Sequence, residues 1–177
     1  MDHQALPPTE RLPFIGELEA RASVIRDEYL RLEHGLFAAW PETELYDTGW
    51  EVFGFHFFGK RQDLNCLLCP ETSRAVEAIP GMITAGFSRL AAGSRIRPHR
   101  GYTGTVLRCH LGLVIPPDCA LKVDGATASW REGECLFFDD TFEHEAWNNS
   151  REDRIVLLID IARNVIDGMA QAGSEST

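Results

Sequence analysis

The sequence predicts a mainly β domain, a sandwich or small barrel with its helices packed outside. Two observations carry that expectation. From Phe87 onward, short β-prone segments alternate with Gly, Pro and Asp turns at the spacing of an all-β fold. Before them lies an amphipathic stretch suited to covering a sheet. At 177 residues, 44% of them hydrophobic, the chain suits a single domain with a sizeable core.

Residues 1–14 contain Pro7, Pro8 and Pro13 and read as an extended lead-in. Over residues 17–36, Leu18, Ala22, Ile25, Tyr29, Leu32 and Leu36 recur at spacings of four and three, which places them on one helix face. Residues 41–49 are turn-rich. Residues 50–59 are aromatic and β-prone. Strict alternation there puts Phe53, Phe55 and Phe57 on one side and Val52, Gly54, His56 and Phe58 on the other. A short helix is expected over about 72–79, stopped by Pro80-Gly81. Later strands are expected at 86–90, 105–115, 120–123, 134–138, 143–148 and 154–161. The tail, 163–177, is weakly patterned, and residues 173–177 are expected to be disordered.

The 17 basic and 27 acidic residues leave a formal net charge of −10. This argues against a nucleic-acid partner, whose affinity rests on Lys and Arg neutralising phosphates. It argues equally against stable association with an anionic membrane surface. No apolar run reaches the roughly 20 residues of a transmembrane helix. Residues 1–5 have neither the basic region nor the apolar core of a signal peptide. Five cysteines without framework spacing read as reduced thiols of a cytoplasmic protein. Cys66-x-x-Cys69 lacks the second pair of a zinc ribbon, so both are expected to be packed thiols.

Two histidines in polar settings stand out in the second half. His99 follows Pro98, and His144 ends the acidic string that begins at Phe138. The common Fe(II) triad uses His-x-Asp or His-x-Glu with a distant His. Here the carboxylate position is Gly101, so by spacing the triad lacks one ligand. Between the histidines, alternation places Arg108, His110, Gly112 and Val114 on one strand face and Leu107, Cys109, Leu111 and Leu113 on the other. A guanidinium beside an imidazole suits a carboxylate ligand; it equally suits a half-exposed strand. Arg154, at the start of an apolar strand, reads either as a solvated strand-end charge or as a pocket cation.

Several strings are similar to those of the aspartyl/asparaginyl β-hydroxylase family. They are Pro98-His99-x-Gly101, Leu107-Arg108-x-His110-Leu111-Gly112-Leu113, Trp130-x-x-Gly133, the run from Phe138 to Glu145, and the Arg154 strand. Upstream, Pro41-Glu42-Thr43-x-Leu45-Tyr46, Phe58-Gly59-Lys60 and Cys69-Pro70-Glu71-Thr72 extend the resemblance to roughly residues 12–161. It implies a double-stranded β-helix, the jelly-roll or cupin-like fold, and an Fe(II)- and 2-oxoglutarate-dependent dioxygenase that consumes O2. In that family glycine stands at the triad's carboxylate position. The resemblance implies His99 and His144 as iron ligands and Asp140 as the group orienting a water on the metal. It assigns Arg108 and His110 to the C1 carboxylate of 2-oxoglutarate, and Arg154 with Ser88 to its C5 carboxylate.

Animal members acting on epidermal-growth-factor-like domains carry basic residues where this chain has Gly86 and Val106. The resemblance therefore implies a different substrate: a free amino acid, small peptide or carrier-tethered intermediate. Halogenation, acyl-chain hydroxylation, and a cupin that binds a metal and a small acid without turnover are the alternatives.

Overall fold

The computed structural model describes residues 4–7 and 12–174. Parts of the expected lead-in (1–3 and 8–11) and the last three residues of the expected disordered end lie outside them. The strands are β1 (Ala38–Ala39), β2 (Trp50–Phe57), β3 (Lys60–Arg61), β4 (Met82–Leu90), β5 (Arg95–His99) and β6 (Val106–Val114). They continue with β7 (Cys119–Val123), β8 (Ala126–Ala128), β9 (Cys135–Phe138), β10 (His144–Asn148) and β11 (Arg154–Ala162). The helices are α1 (Ile15–Ala20), α2 (Ala22–Leu30), α3 (Asp63–Leu68), α4 (Pro70–Glu77) and α5 (Arg163–Ser174).

The larger sheet runs β1-β2-β4-β11-β6-β9, with β3 on β2, and the smaller runs β5-β10-β7-β8. From β4 to β11 the chain passes between the sheets at nearly every connection, which makes a double-stranded β-helix. The first three strands widen the larger sheet. Period-two alternation gives that sheet two buried faces. Its outer face, with Phe53, Phe55, Phe87, Leu107, Leu111, Leu157 and Ile159, packs under the helices. Its inner face meets the smaller sheet through Trp50, Leu90, Phe138, Val156, Ile96 and Leu121. No helix among the described residues is long and apolar enough to cross a membrane.

The helical layer departs from the expected pattern at several points. The single helix expected over 17–36 is α1 and α2, joined at Arg21, and it ends at Leu30. Leu36 lies in a 3-10 turn and is exposed. The apolar spacing runs straight through the joint, so periodicity could not reveal it. The helix expected at 72–79 begins at Pro70, where proline's missing N–H costs nothing. Its free amides are satisfied from outside: Glu28 accepts from the N–H of Glu71 at 2.9 Å and of Thr72 at 2.7 Å. The tail is also a correction, because residues 163–174 form α5 and Ile166 is buried in the core. Cys66 and Cys69 are buried free thiols.

Strict alternation fails on β2. A register shift between Gly54 and His56 inserts an extra residue. Phe53 and Phe55 stay in the outer core, while Phe57 folds over Gly54 on the other face. His56 turns to the helices and meets Glu77 at 3.2 Å. Phe58, at a positive φ of 49°, caps the hairpin and is exposed.

Gly112 is where the β8–β9 connection crosses β6. Its N–H donates to Glu134 O at 3.1 Å, and its carbonyl accepts from Gly133 N–H at 2.9 Å. A Cβ there would lie 2.2 Å from Arg131 O. Gly112→Ala is expected to cost about 1–3 kcal/mol by overpacking, read as a lower urea midpoint at unchanged slope.

Candidate metal and anion site

The smaller sheet carries the histidine pair. His144 on β10 lies directly opposite His99 on β5, with ring centroids 4.1 Å apart. His99 Nδ1 is 2.8 Å from Arg97 O, and His144 Nδ1 is 3.0 Å from Phe142 O. A carbonyl only accepts, so each Nδ1 carries the ring proton and each Nε2 keeps its lone pair. That is the tautomer of a metal-binding imidazole held by an outer hydrogen bond. Burial, then the neighbouring His99, pushes the His144 imidazolium down to about 4, so the ring is neutral near pH 7. The loop leading to His144 is fixed by Asp139, which accepts from Thr141 N–H and hydroxyl and pairs with Arg163 at 2.8 Å.

The facing sheet carries a buried cation. Arg154, at the head of β11, is 1% exposed, yet its Nε and one terminal nitrogen have no hydrogen-bond partner among the described residues. It sits 4.8 Å from the centroid of the Trp130 ring, whose face tolerates a cation. Burial lowers its pKa to about 10, which still leaves it charged. Asn148 fixes the approach to β11 by donating to Leu90 O, Ala91 O and Glu152 O at 2.8–3.2 Å.

Trp130 also donates its indole N–H to His110 Nδ1 at 3.1 Å. An indole nitrogen only donates, so His110 accepts there and carries its proton on Nε2. That Nε2 is buried without a partner. Burial first, then the Arg154 and Arg108 charges, hold the His110 pKa well below its usual value. The ring is therefore a neutral donor. Ser88 on β4 accepts from Trp50 Nε1 at 3.1 Å, which leaves its own hydroxyl proton to give. Ser88, His99, Arg108, His110, His144 and Arg154 line one pocket of about 370 Å3 between the sheets, part of it open to solvent.

Arg108 faces Asp160 across the β6–β11 ladder and forks onto it, Nε to Oδ1 at 2.7 Å and a terminal nitrogen to Oδ2 at 3.0 Å. A second carboxylate, Asp140, lies 3.4 Å away. Burial works against the Arg108 charge, but these two acids outweigh it and raise its pKa. The half-exposed-strand alternative is thus set aside, and Arg108 has internal partners that the sequence did not signal. Asp140 rests on Gly101: a Cβ at that glycine would lie 2.4 Å from Asp140 Oδ2. Its Oδ1 is buried without a partner, and burial raises its pKa.

The model of the aspartyl/asparaginyl β-hydroxylase family matches residues 19–164. The chain belongs to that family. Two curated relatives are similar to it. The ornithine lipid ester-linked acyl 2-hydroxylase of Rhizobium tropici is 42% identical over 120 residues, 66% of this chain and 43% of the relative. The human aspartyl/asparaginyl β-hydroxylase is 36% identical over 160 residues, 83% of this chain and 21% of the relative. The chain thus spans less than half the length of either relative. A solved Pseudomonas aeruginosa structure, described as a glyoxylate-induced protein, overlays with a TM-score of 0.50 at 8% identity. It covers 76% of this chain and 41% of that one, a likeness of fold alone. Trp130, Trp50 and Asp160 are not among the site residues that the sequence predicts. Asp160 shares a strand face with Arg154, and that spacing was the available signal.

Proposed function

We propose that this β-hydroxylase-family chain is an Fe(II)- and 2-oxoglutarate-dependent dioxygenase that uses O2 to hydroxylate an unactivated carbon. Arg154 carries the reading. A fully buried guanidinium with no counter-anion among the described residues is costly, and a carboxylate entering the pocket would relieve it. The neutral His110 N–H and the Ser88 hydroxyl are further donors that suit an acid, and the His99 and His144 lone pairs suit iron.

In this proposal His99 and His144 would hold the ion, since each keeps its Nε2 lone pair. Arg154 and Ser88 take the distal carboxylate of 2-oxoglutarate, and His110 donates to its other end. Arg108, forked onto Asp160, shapes the rim. Bound Fe(II) supplies the activation of O2 that couples decarboxylation of 2-oxoglutarate to hydroxylation. Asp140 would have its second carboxylate oxygen to offer to a water when an ion is bound. Its negative charge also disfavours a halide there, which supports hydroxylation over halogenation.

The substrate is a small molecule, peptide or carrier-tethered intermediate that is not acidic near its reactive carbon. Gly86, Val106 and Leu158 on the inner face bring no cation to meet an acid. The same observation favours an acyl chain as the second reading. We place the enzyme in the cytoplasm, where free thiols stay reduced. Succinate formation from 2-oxoglutarate under air should fall by at least about 100-fold in His99→Ala and in His144→Ala, since ligand loss exceeds the effect of losing an outer-shell partner. Wild-type rates in both variants would sink the proposal.

A further inference from the structure

On the outer face of the larger sheet, away from the histidine pair, three other ligand-type side chains converge. His56 comes from the β2 bulge, Cys66 from α3 and Glu77 from α4. Their ligand atoms all lie within 4.8 Å of one another. His56 and Cys66 are 8% and 2% exposed, whereas Glu77 reaches solvent and gives an ion its way in. Imidazole, thiolate and carboxylate together are a donor set for a tetrahedral ion of the zinc class, with water as the fourth ligand.

The present partners of these groups are ones an ion can replace. Glu77 Oε1 accepts from Arg61 Nε at 2.8 Å, from Ser73 Oγ at 3.1 Å and stands 3.2 Å from His56 Nε2. Arg61 chiefly, with His56 and Ser73 helping, holds the Glu77 carboxyl below its usual range, so it is already ionised. Arg61 is an exposed side chain on the two-residue strand β3, and exposed ion pairs of this kind hold weakly. Among the described residues, the Cys66 thiol has one long contact, to Phe55 O at 3.6 Å.

We propose that His56, Cys66 and Glu77 form a second divalent-metal site, selective for a borderline-soft transition ion and separate from the pocket. On binding, the Cys66 S–H bond breaks, its proton leaves to solvent, and the sulfur bonds the ion. The His56 proton moves to Nδ1, Arg61 swings outward, and the ion joins β2, α3 and α4. No electron is transferred.

Cobalt(II) titration of the full chain separates this site from the pocket, because only a thiolate ligand gives a near-ultraviolet sulfur-to-cobalt charge-transfer band. The band should appear in wild type and persist in the His99→Ala/His144→Ala variant. It should vanish in Cys66→Ser, and Glu77→Gln should weaken binding by at least about tenfold. If Cys66→Ser does not fold, His56→Gln provides the check, with a comparable loss of affinity expected. Absence of the band in wild type, its survival in folded Cys66→Ser, or unchanged affinity in Glu77→Gln or His56→Gln would overturn the site. The trio would then be an ordinary hydrogen-bonded cluster under Arg61.

Discussion

Arg154→Met is expected to make the ligand-free protein melt at a higher temperature while abolishing its response to 2-oxoglutarate. In the wild type the guanidinium is 1% exposed, has no acidic partner among the described residues, and is supported mainly by the Trp130 face. Methionine keeps an apolar stem of similar length against that ring and removes the charge. Exchanging buried ionic groups for apolar ones of similar volume yields up to about 1–4 kcal/mol. At about 2–4 °C per kcal/mol for a chain of this size, the gain is several degrees. With 2-oxoglutarate at roughly 100 times its Kd, the wild type should gain about 2.7 kcal/mol. The variant should gain nothing. Differential scanning fluorimetry with and without the acid reads both effects. A variant that melts lower and still responds would show that Arg154 is a structural cation already compensated.

Gly101→Ala is expected to damage the metal side from a position that holds no ligand. The added methyl would meet Asp140 Oδ2 at 2.4 Å, and the Asp140 carbonyl is tied to Gly101 N–H at 2.7 Å. Backbone and side chain cannot both stay, so the carboxylate must turn away from Arg108. Overpacking of this kind costs about 1–3 kcal/mol. Losing an outer-shell carboxylate lowers metal affinity about 10–100-fold. Shortening the acid should recover the fold without recovering the ion. Gly101→Ala/Asp140→Gly is therefore expected to be more stable than Gly101→Ala alone, with divalent affinity still low, a non-additivity seen only between touching residues. Equal metal affinity with and without Gly101→Ala, by isothermal titration with a redox-inert divalent ion in a Cys66→Ser background that removes the second site, would remove Asp140 from the site.

Much of this fold is written in short-range signals. The alternation along Arg154–Ala162 and the first six residues of β6 sorts their two faces correctly, because each strand is buried on both sides by different partners. Beyond the register shift opposite Ile155 and Val156, Val114 packs with the outer core and not on the Arg108 face. Where a bulge intervenes, alternation fails, as it does for His56 and Phe57 on β2. Arg95–His99 was not expected as a strand, although it carries His99. It is an edge strand with charged, exposed positions and a proline, and nothing in its local composition announces a ladder. Ala126–Ala128 is three residues long with Thr127 its one branched side chain, too little for a strand signal, even though Asp124-Gly125, at φ 47° and 82°, makes the tight turn before it. The gathering of Ser88, Arg108, His110 and Arg154 followed from strand parity and the family resemblance. The fork of Asp160 onto Arg108 did not, because cross-strand register is a long-range property. Likewise, no local pattern reveals that Trp130 fixes the His110 tautomer.

The histidine pair rides on the smaller sheet and the buried arginine on the larger one. A ligand that needs both is a ruler laid between two plates, and the plates are spaced by residues it never touches. Trimming a spacer such as Val123, buried in the layer between the sheets, would let them settle closer and shorten the span. Affinity at this site is thus a measure of how the domain is packed, and a core substitution would be read first as a change in what the pocket accepts.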